Sequence, residues 1–244
     1  MQEVVVKSKK PKPPILRFKP VYVSTEIPNI IEVMPTIKEL IDAGKEFCTN
    51  NWITYYEGGS YGNFGFRDKR KLDQRTYNKV IRIMRKYGIS ESKFNLRNIW
   101  IVTATQTDMG NLSPDDFVKV YLLDPETQLA IISGKRKQTS EIAVYTEHGK
   151  HTKYDILLHG HFQIGESRPF LDNAAQLEIP MTSRDIENGT LELSGLVQAE
   201  ISPKDPKFFL LNNHGFFSAG NTVEQARQNV RDVYEEYKKL SLAA

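Results

Sequence analysis

The sequence predicts a mixed α/β fold gathered into one main domain. Three observations carry this. Several stretches repeat apolar residues at spacings of three and four, the pattern of one-sided helices. Short apolar runs of strand length lie between them. No internal repeat and no clear linker interrupts the chain after residue 36. With 244 residues, 39% of them hydrophobic and 26% charged, the chain has the composition of an ordinary globular protein with a substantial core.

The first 35 residues read as an extension, basic and proline-rich in Lys7-Ser8-Lys9-Lys10-Pro11-Lys12-Pro13-Pro14 and partly disordered, and residues 36–244 as the domain. Ile15 to Val33 has extended character. Pro35-Thr36 is expected to open a helix whose apolar face is Ile37, Leu40, Ile41, Gly44, Phe47 and Cys48. Trp52 to Tyr56 reads as a strand. Glu57 to Arg67 holds four glycines within eight residues and reads as a loop. Its backbone N–H groups could cradle an anion, or it could be a glycine-rich hairpin turn. Its spacing is neither a dinucleotide fingerprint nor a P-loop.

Leu72 to Lys86 is expected to be helical, with Tyr77, Val80, Ile81 and Met84 as its stripe and Gly88 as its stop. Asn98 to Thr103 reads as a strand, followed by a polar turn. Ser113-Pro114-Asp115-Asp116 has the serine, proline and acids of a short helix start. Val118–Leu123 and Leu129–Ile132 read as an antiparallel hairpin, and Ser133 to Lys137 as a basic loop. A helix begins at Thr139-Ser140-Glu141, with Glu141 in its first turn, where an acid complements the helix dipole. Phe162 to Met181 is irregular. Gly189 to Val197 suits a short helix, Phe208 to Gly215 a strand, and Ser218-Ala219-Gly220 a turn. A last helix follows from Asn221 as N-cap to about Leu240, with Val223, Ala226, Val230, Val233 and Tyr237 as its stripe.

The composition also excludes. A net charge of +3 and an isoelectric point near 8.7 fall short of the bias of a dedicated nucleic-acid binder. Cys48 is the only cysteine, so no internal disulfide forms and a cysteine-rich zinc site is ruled out. No apolar run has the length of a membrane span, and the N-terminus has no signal-peptide core, so a cytoplasmic protein is expected.

The segment Tyr154-Asp155-Ile156-Leu157-Leu158-His159-Gly160-His161-Phe162 concentrates the chemistry. As a strand, its period of two puts His159 and His161 on one face with Gly160 pointing away. His214 ends another apolar run. Three of only five histidines stand at strand ends, and three histidines with an open fourth position suit a catalytic zinc ion. Core histidines bonded to backbone groups would give the same pattern, so both readings stay open at this point.

The order of segments adds a resemblance. Gly62-Asn63-Phe64-Gly65-Phe66-Arg67 resembles the Gly-Asn-x-Ser-x-Arg loop of the class II aldolase and adducin-head family. Val102 to Leu112 resembles its Ile-Thr-Pro-Ser-Gly segment, Gln138-Thr139-Ser140-Glu141 its Pro-Ser-Ser-Glu, and Ile156 to His161 its Val-Val-His-Thr-His strand. Gly189 to Leu193 and Leu211 to Gly215 complete the series, over roughly residues 36–240. The resemblance implies a three-layer α/β/α fold around a mostly antiparallel sheet, assembled as a homotetramer with active sites between subunits. It implies a divalent metal, typically Zn2+, on His159, His161 and His214, with Glu141 as acid/base. It places a substrate phosphate or other anion against Gly62, Asn63, Thr105, Thr139 and Ser140. The reaction implied is aldol cleavage or condensation of a sugar or sugar-phosphate through an enediolate. Sister reactions are sugar-phosphate 4-epimerisation and methylthioribulose-phosphate dehydration, and a non-catalytic adducin-like head shares the fold. Tyr234 or Tyr237 could reach a neighbouring site, although both fit the buried stripe of the last helix. Gln106 replaces a family glycine, Ala104 and Gln138 replace prolines, and residues 69–97 are longer than the family's usual connection.

Overall fold

The computed structural model describes residues 18–161, 175–187 and 189–243. The Lys7–Pro14 tail and most of the irregular Phe162–Met181 stretch lie outside the described residues. In chain order the elements are β1 Lys19–Ser24, α1 Ile30–Thr49, β2 Thr54–Tyr56, β3 Gly59–Arg67, α2 Gln74–Lys86, β4 Trp100–Thr103, β5 Phe117–Asp124, β6 Leu129–Ser133, α3 Ile142–His148, β7 Ile156–Gly160, α4 Leu191–Glu200, β8 Phe208–Leu211, β9 Gly215–Gly220 and α5 Val223–Ala243. The strands form one sheet in the order β1-β6-β5-β4-β3-β7-β9-β8, with β2 paired to β3. Only β1 with β6 is parallel; the other pairs are antiparallel.

The sheet is buried on both faces, which is why its strands read as unbroken apolar runs. Ile101, Ile156, Leu158 and Phe216 turn to one face and pack with the stripes of α1 (Ile37, Leu40, Phe47) and α5 (Val223, Ala226, Val230). Trp100, Val102, Leu157 and Phe217 turn to the other and pack with Tyr145 of α3 and Leu193 and Val197 of α4. This is the three-layer α/β/α arrangement. The inserted helix α2 lays Val80, Ile81 and Met84 on Tyr121 of β5 and Ile131 of β6. Among the described residues no helix is long and apolar enough to cross a membrane.

Four expectations are corrected. Helix α1 begins at Ile30, not at Pro35-Thr36: Asn29 turns the chain in a left-handed conformation, and Pro35 sits inside the helix. The bond that Pro35 cannot make would have gone to the carbonyl of Ile31, a residue 83% exposed, where water can replace it. Second, the glycine-rich loop is mostly the central strand β3, with the turn confined to its start. A Cβ on Gly65 would stand 2.7 Å from the Tyr145 ring and 2.8 Å from Val102, so the glycine serves close packing inside the sheet. Third, Ser218-Ala219-Gly220 is not a turn but the end of strand β9. Phe216 and Phe217 are buried on opposite faces, a strand pattern that the flanking glycines obscure. Fourth, the hydroxyl of Thr222, not Asn221, accepts the Gln225 N–H at 3.1 Å at the start of α5.

Candidate metal centre and adjoining cleft

Three adjacent strands place the first part of the site. His159 on β7 stands opposite Asn63 of β3 and Phe217 of β9. It shares the face of Leu157, the one covered by α3. Its ring stacks on Phe217 at 4.5 Å. Its Nδ1 lies 2.7 Å from the Phe216 carbonyl. A carbonyl can only accept, so Nδ1 carries the proton and Nε2 is left with a lone pair. That lone pair points toward His161 Nε2, 2.9 Å away.

His214 comes from the turn between β8 and β9, where Asn213 has φ 54. The turn comes close because residue 215 is glycine. A Cβ there would meet the Gly160 carbonyl oxygen at 2.4 Å and the rings of His159 and His161 at 3.2 Å. One nitrogen from each of the three rings lies within 4.8 Å of the others. Both ring nitrogens of His214 are buried without a hydrogen-bond partner. Burial and the neighbouring imidazoles keep His161 well below its ordinary pKa. His159 is pushed down to about 4, burial outweighing the pull of Glu141. Three converging imidazoles, with the His159 lone pair turned toward the cluster and two His214 nitrogens without a hydrogen-bond partner, fit a divalent cation.

Glu141 immediately precedes α3 and is buried beside this cluster. Oε1 lies 3.4 Å from His214 Nε2 and Oε2 lies 3.9 Å from His159 Nε2. The Asn63 side-chain amide donates to Oε2. Burial alone would raise the carboxyl pKa. The His214 ring, the charge on His159 and His214 when protonated, and the Asn63 amide outweigh it and hold Glu141 below the ordinary carboxylate range. The Asn63 backbone is itself fixed, because the Tyr145 hydroxyl donates to its carbonyl at 2.8 Å.

A small open cleft adjoins Glu141 and His161, and Gly62, Asn63, Thr105, Thr139 and Ser140 all line it. Thr139 Oγ1 accepts the Glu141 backbone N–H at 3.3 Å. Gln106 keeps a left-handed backbone, φ 54, at the position of the family glycine, and its side chain adds bulk to the rim. The basic loop braces this wall through Arg136, which does not itself line the cleft. Arg136 pairs with Asp116 and donates to the carbonyls of Thr105 at 3.1 Å and Gln106 at 2.7 Å.

Two tyrosines also join the site without a sequence signal that singles them out. Tyr61 lines the cleft and stacks on His161, ring centres 5.2 Å apart. Its place two residues before Asn63 would mark it once the segment is read as a strand. Tyr56 packs against Tyr61 at 4.7 Å, and its buried hydroxyl lacks a hydrogen-bond partner. Burial, with Tyr61 and Glu141 nearby, raises its pKa to about 12. Tyr234 packs edge-on to Trp52 at 5.6 Å and lies beside Tyr237, both against the α1 core cluster and not in this chain's cleft.

An α/β/α sheet carrying three converging histidines beside a buried glutamate is an arrangement that could hold a metal ion. The family model for the Class II Aldolase and Adducin N-terminal domain matches residues 38–237, and the chain belongs to that family. Solved structures share the fold at low identity. An L-fuculose 1-phosphate aldolase is 18% identical, with 86% of each chain covered and a TM-score of 0.57. A sugar-phosphate aldolase from Thermotoga maritima is 15% identical over 87% of this chain and 98% of its own, with a TM-score of 0.59. L-fuculose-1-phosphate aldolase from Thermus thermophilus is 16% identical over 85% of this chain and 94% of its own, with a TM-score of 0.53. No curated protein matches the chain in sequence.

Proposed function

We propose that this protein is a metal-dependent carbon–carbon lyase of the class II aldolase type, acting on a sugar-like substrate with a carbonyl next to a hydroxyl. The observation that carries the reading is the meeting of three imidazoles and one ionised carboxylate at the end of a cleft lined with hydroxyl groups. His159, His161 and His214 would hold the cation, for which zinc is the natural candidate given three imidazoles and an open position. It would supply Lewis-acid stabilisation of the negative charge that develops on the substrate carbonyl oxygen.

The rest falls to the chain's own groups. In the condensing direction Glu141 takes the proton from the carbon next to the carbonyl. That carbon then attacks the aldehyde, and the new C–C bond forms as the aldehyde oxygen takes a proton from water, to which Glu141 gives back the proton it holds. In the cleaving direction the C–C bond breaks and Glu141 returns the proton to carbon. Asn63 fixes the carboxylate by donating to Oε2. Phe216 and Phe217 hold the His159 ring in one tautomer and one plane. The hydroxyls of Thr105, Thr139 and Ser140 and the backbone at Gly62 position the far end of the substrate, a phosphate or other anion. The homotetramer and the cytoplasmic setting expected from the sequence belong to this proposal too.

The test combines metal analysis with product analysis. The purified protein should carry about one divalent ion per chain, lost in His159→Ala. Incubated with short aldehydes and dihydroxyacetone phosphate or glycolaldehyde, it should yield new aldol products. Metal-free protein indistinguishable from the variant, with no product from any pair, would overturn the reading. Conversion between 4-epimers without free aldehyde, or loss of water without cleavage, would move it to the sister reactions.

A further inference from the structure

A second cavity, of about 440 Å³, lies at the opposite end of the central strands. It opens at Arg67, four residues along β3 from Asn63, or about 13 Å at the rise of a strand. Both ends of the 69–97 insertion line it, together with the turn that leads into β7.

Its charge is one-sided: six lysines and arginines line it against a single carboxylate, Asp155. They divide into two kinds. Arg67 and Arg70 are structural. Arg67 donates to the carbonyls of Gly149, Thr152 and Tyr154, and Arg70 pairs with buried Asp68 at 2.7 Å. The other four are exposed. Lys69 pairs with Asp155 and Lys153 with Asp205, but those lysine side chains are 67% and 68% exposed. Exposed pairs of this kind contribute little and are readily exchanged. Among the described residues Lys71 and Arg97 form no ion pair. The overall net charge is only +3, so this grouping concentrates positive charge at one place and adds mutual repulsion to the fold. The wall also has an apolar part. Leu96 is 49% exposed, and Leu72 also lines the cavity.

We propose that this cavity is a second binding site, distinct from the metal centre, for an organic phosphate carrying several negative charges and a flat or apolar body of nucleotide size. Lys71, Arg97, Lys69 and Lys153 take the phosphoryl oxygens. Arginine suits this by its planar fork and lysine as a mobile point charge. Leu72 and Leu96 cover the body. The size lies within the range of small-molecule sites. The insertion then has a role: it builds a ligand site that the metal centre does not need.

Calorimetric titration of the intact, metal-loaded protein tests this, with adenosine triphosphate, tripolyphosphate and adenosine as probes. Adenosine triphosphate should bind one-to-one, more weakly as salt rises. The double variant Lys71→Ala/Arg97→Ala should lose at least tenfold in affinity. Both residues are exposed, and an unchanged circular dichroism spectrum would verify the fold. Leu96→Ser should weaken adenosine triphosphate more than tripolyphosphate, whereas Thr139→Val in the cleft should leave affinity unchanged. No binding at millimolar probe, equal binding by the double variant, or loss of binding in Thr139→Val would overturn the proposal. Tripolyphosphate binding as tightly as adenosine triphosphate would overturn its apolar half. Each of these outcomes is independent of whether the aldolase reading holds.

Discussion

Asn63 and Glu141 are joined by a hydrogen bond from the asparagine amide to carboxylate Oε2, although they come from a central strand and from the start of a helix on its face. The bond leaves the carboxylate a donor in a place with little water and fixes where Oε2 points. Asn63→Ala should therefore lower kcat by about 10- to 100-fold with metal content unchanged, the scale seen for groups that orient a site. Steady-state kinetics beside metal analysis would check it. Loss of metal without loss of kcat per bound ion would contradict the positioning role.

Glu141 and the histidines should separate cleanly. Glu141→Gln keeps the shape and the Asn63 neighbour but cannot take a proton. It should retain the metal and lose roughly 10²- to 10⁴-fold in turnover. His159→Ala should lose the metal itself. If Glu141→Gln turned over like the parent protein, the proton step would have to be assigned elsewhere.

Gly215 controls the approach of His214. A methyl group there would stand 2.4 Å from the Gly160 carbonyl oxygen, a backbone atom with little room to move. Gly215→Ala should displace the turn and weaken metal binding by about tenfold or more, while overpacking costs about 1–3 kcal/mol of stability. Competition with a chelator and thermal melts would read the two effects. Unchanged chelator resistance would show that the close approach is not needed.

His148, away from the cleft, should make the fold acid-sensitive. Its Nδ1 lies 2.8 Å from Ser202 Oγ, its Nε2 is buried without a partner, and burial lowers its pKa from 6.5 to about 4. The unfolded chain takes up this proton at the higher pH. Stability from this residue is therefore full above about pH 6.5 and falls as pH drops toward about 4, by an amount on the order of 3 kcal/mol. His148→Gln should flatten that acid limb relative to the parent in urea melts at a series of pH values. The other buried histidines contribute equally to both proteins. Parallel acid limbs would show that His148 does not titrate in this range.

Much is readable in order along the chain because the signals are local. The stripes of α1, α2 and α5 announce themselves through helical periodicity. The β5–β6 hairpin follows from two apolar runs and a turn. The residues quoted for the family keep their order, and the structure brings Gly62, Asn63, Thr105, Thr139, Ser140, Glu141 and His161 to one cleft. Where reading fails, it fails at residues whose conformation depends on distant neighbours. Glycines announce a loop in sequence, yet Gly65 sits inside the sheet because Tyr145 and Val102 need its space. The end of strand β9 reads as a turn for the same reason. Tyr56 and Tyr61 carry no mark of a site until the fold stacks Tyr61 on His161 and Tyr56 on Tyr61.

By itself the sequence determined the family and, through that resemblance, the expected three-layer architecture and the histidines and glutamate proposed for the site, because motif order is a property of the chain. Tertiary structure decided the rest. It set the tautomer of His159 through a carbonyl fifty-seven residues away, anchored Glu141 through Asn63 seventy-eight residues away, and gathered the two ends of the insertion into a cationic cavity. Hydrogen bonds, desolvation and charge act over a few ångströms in space, and separation along the chain does not reveal which residues will share that space.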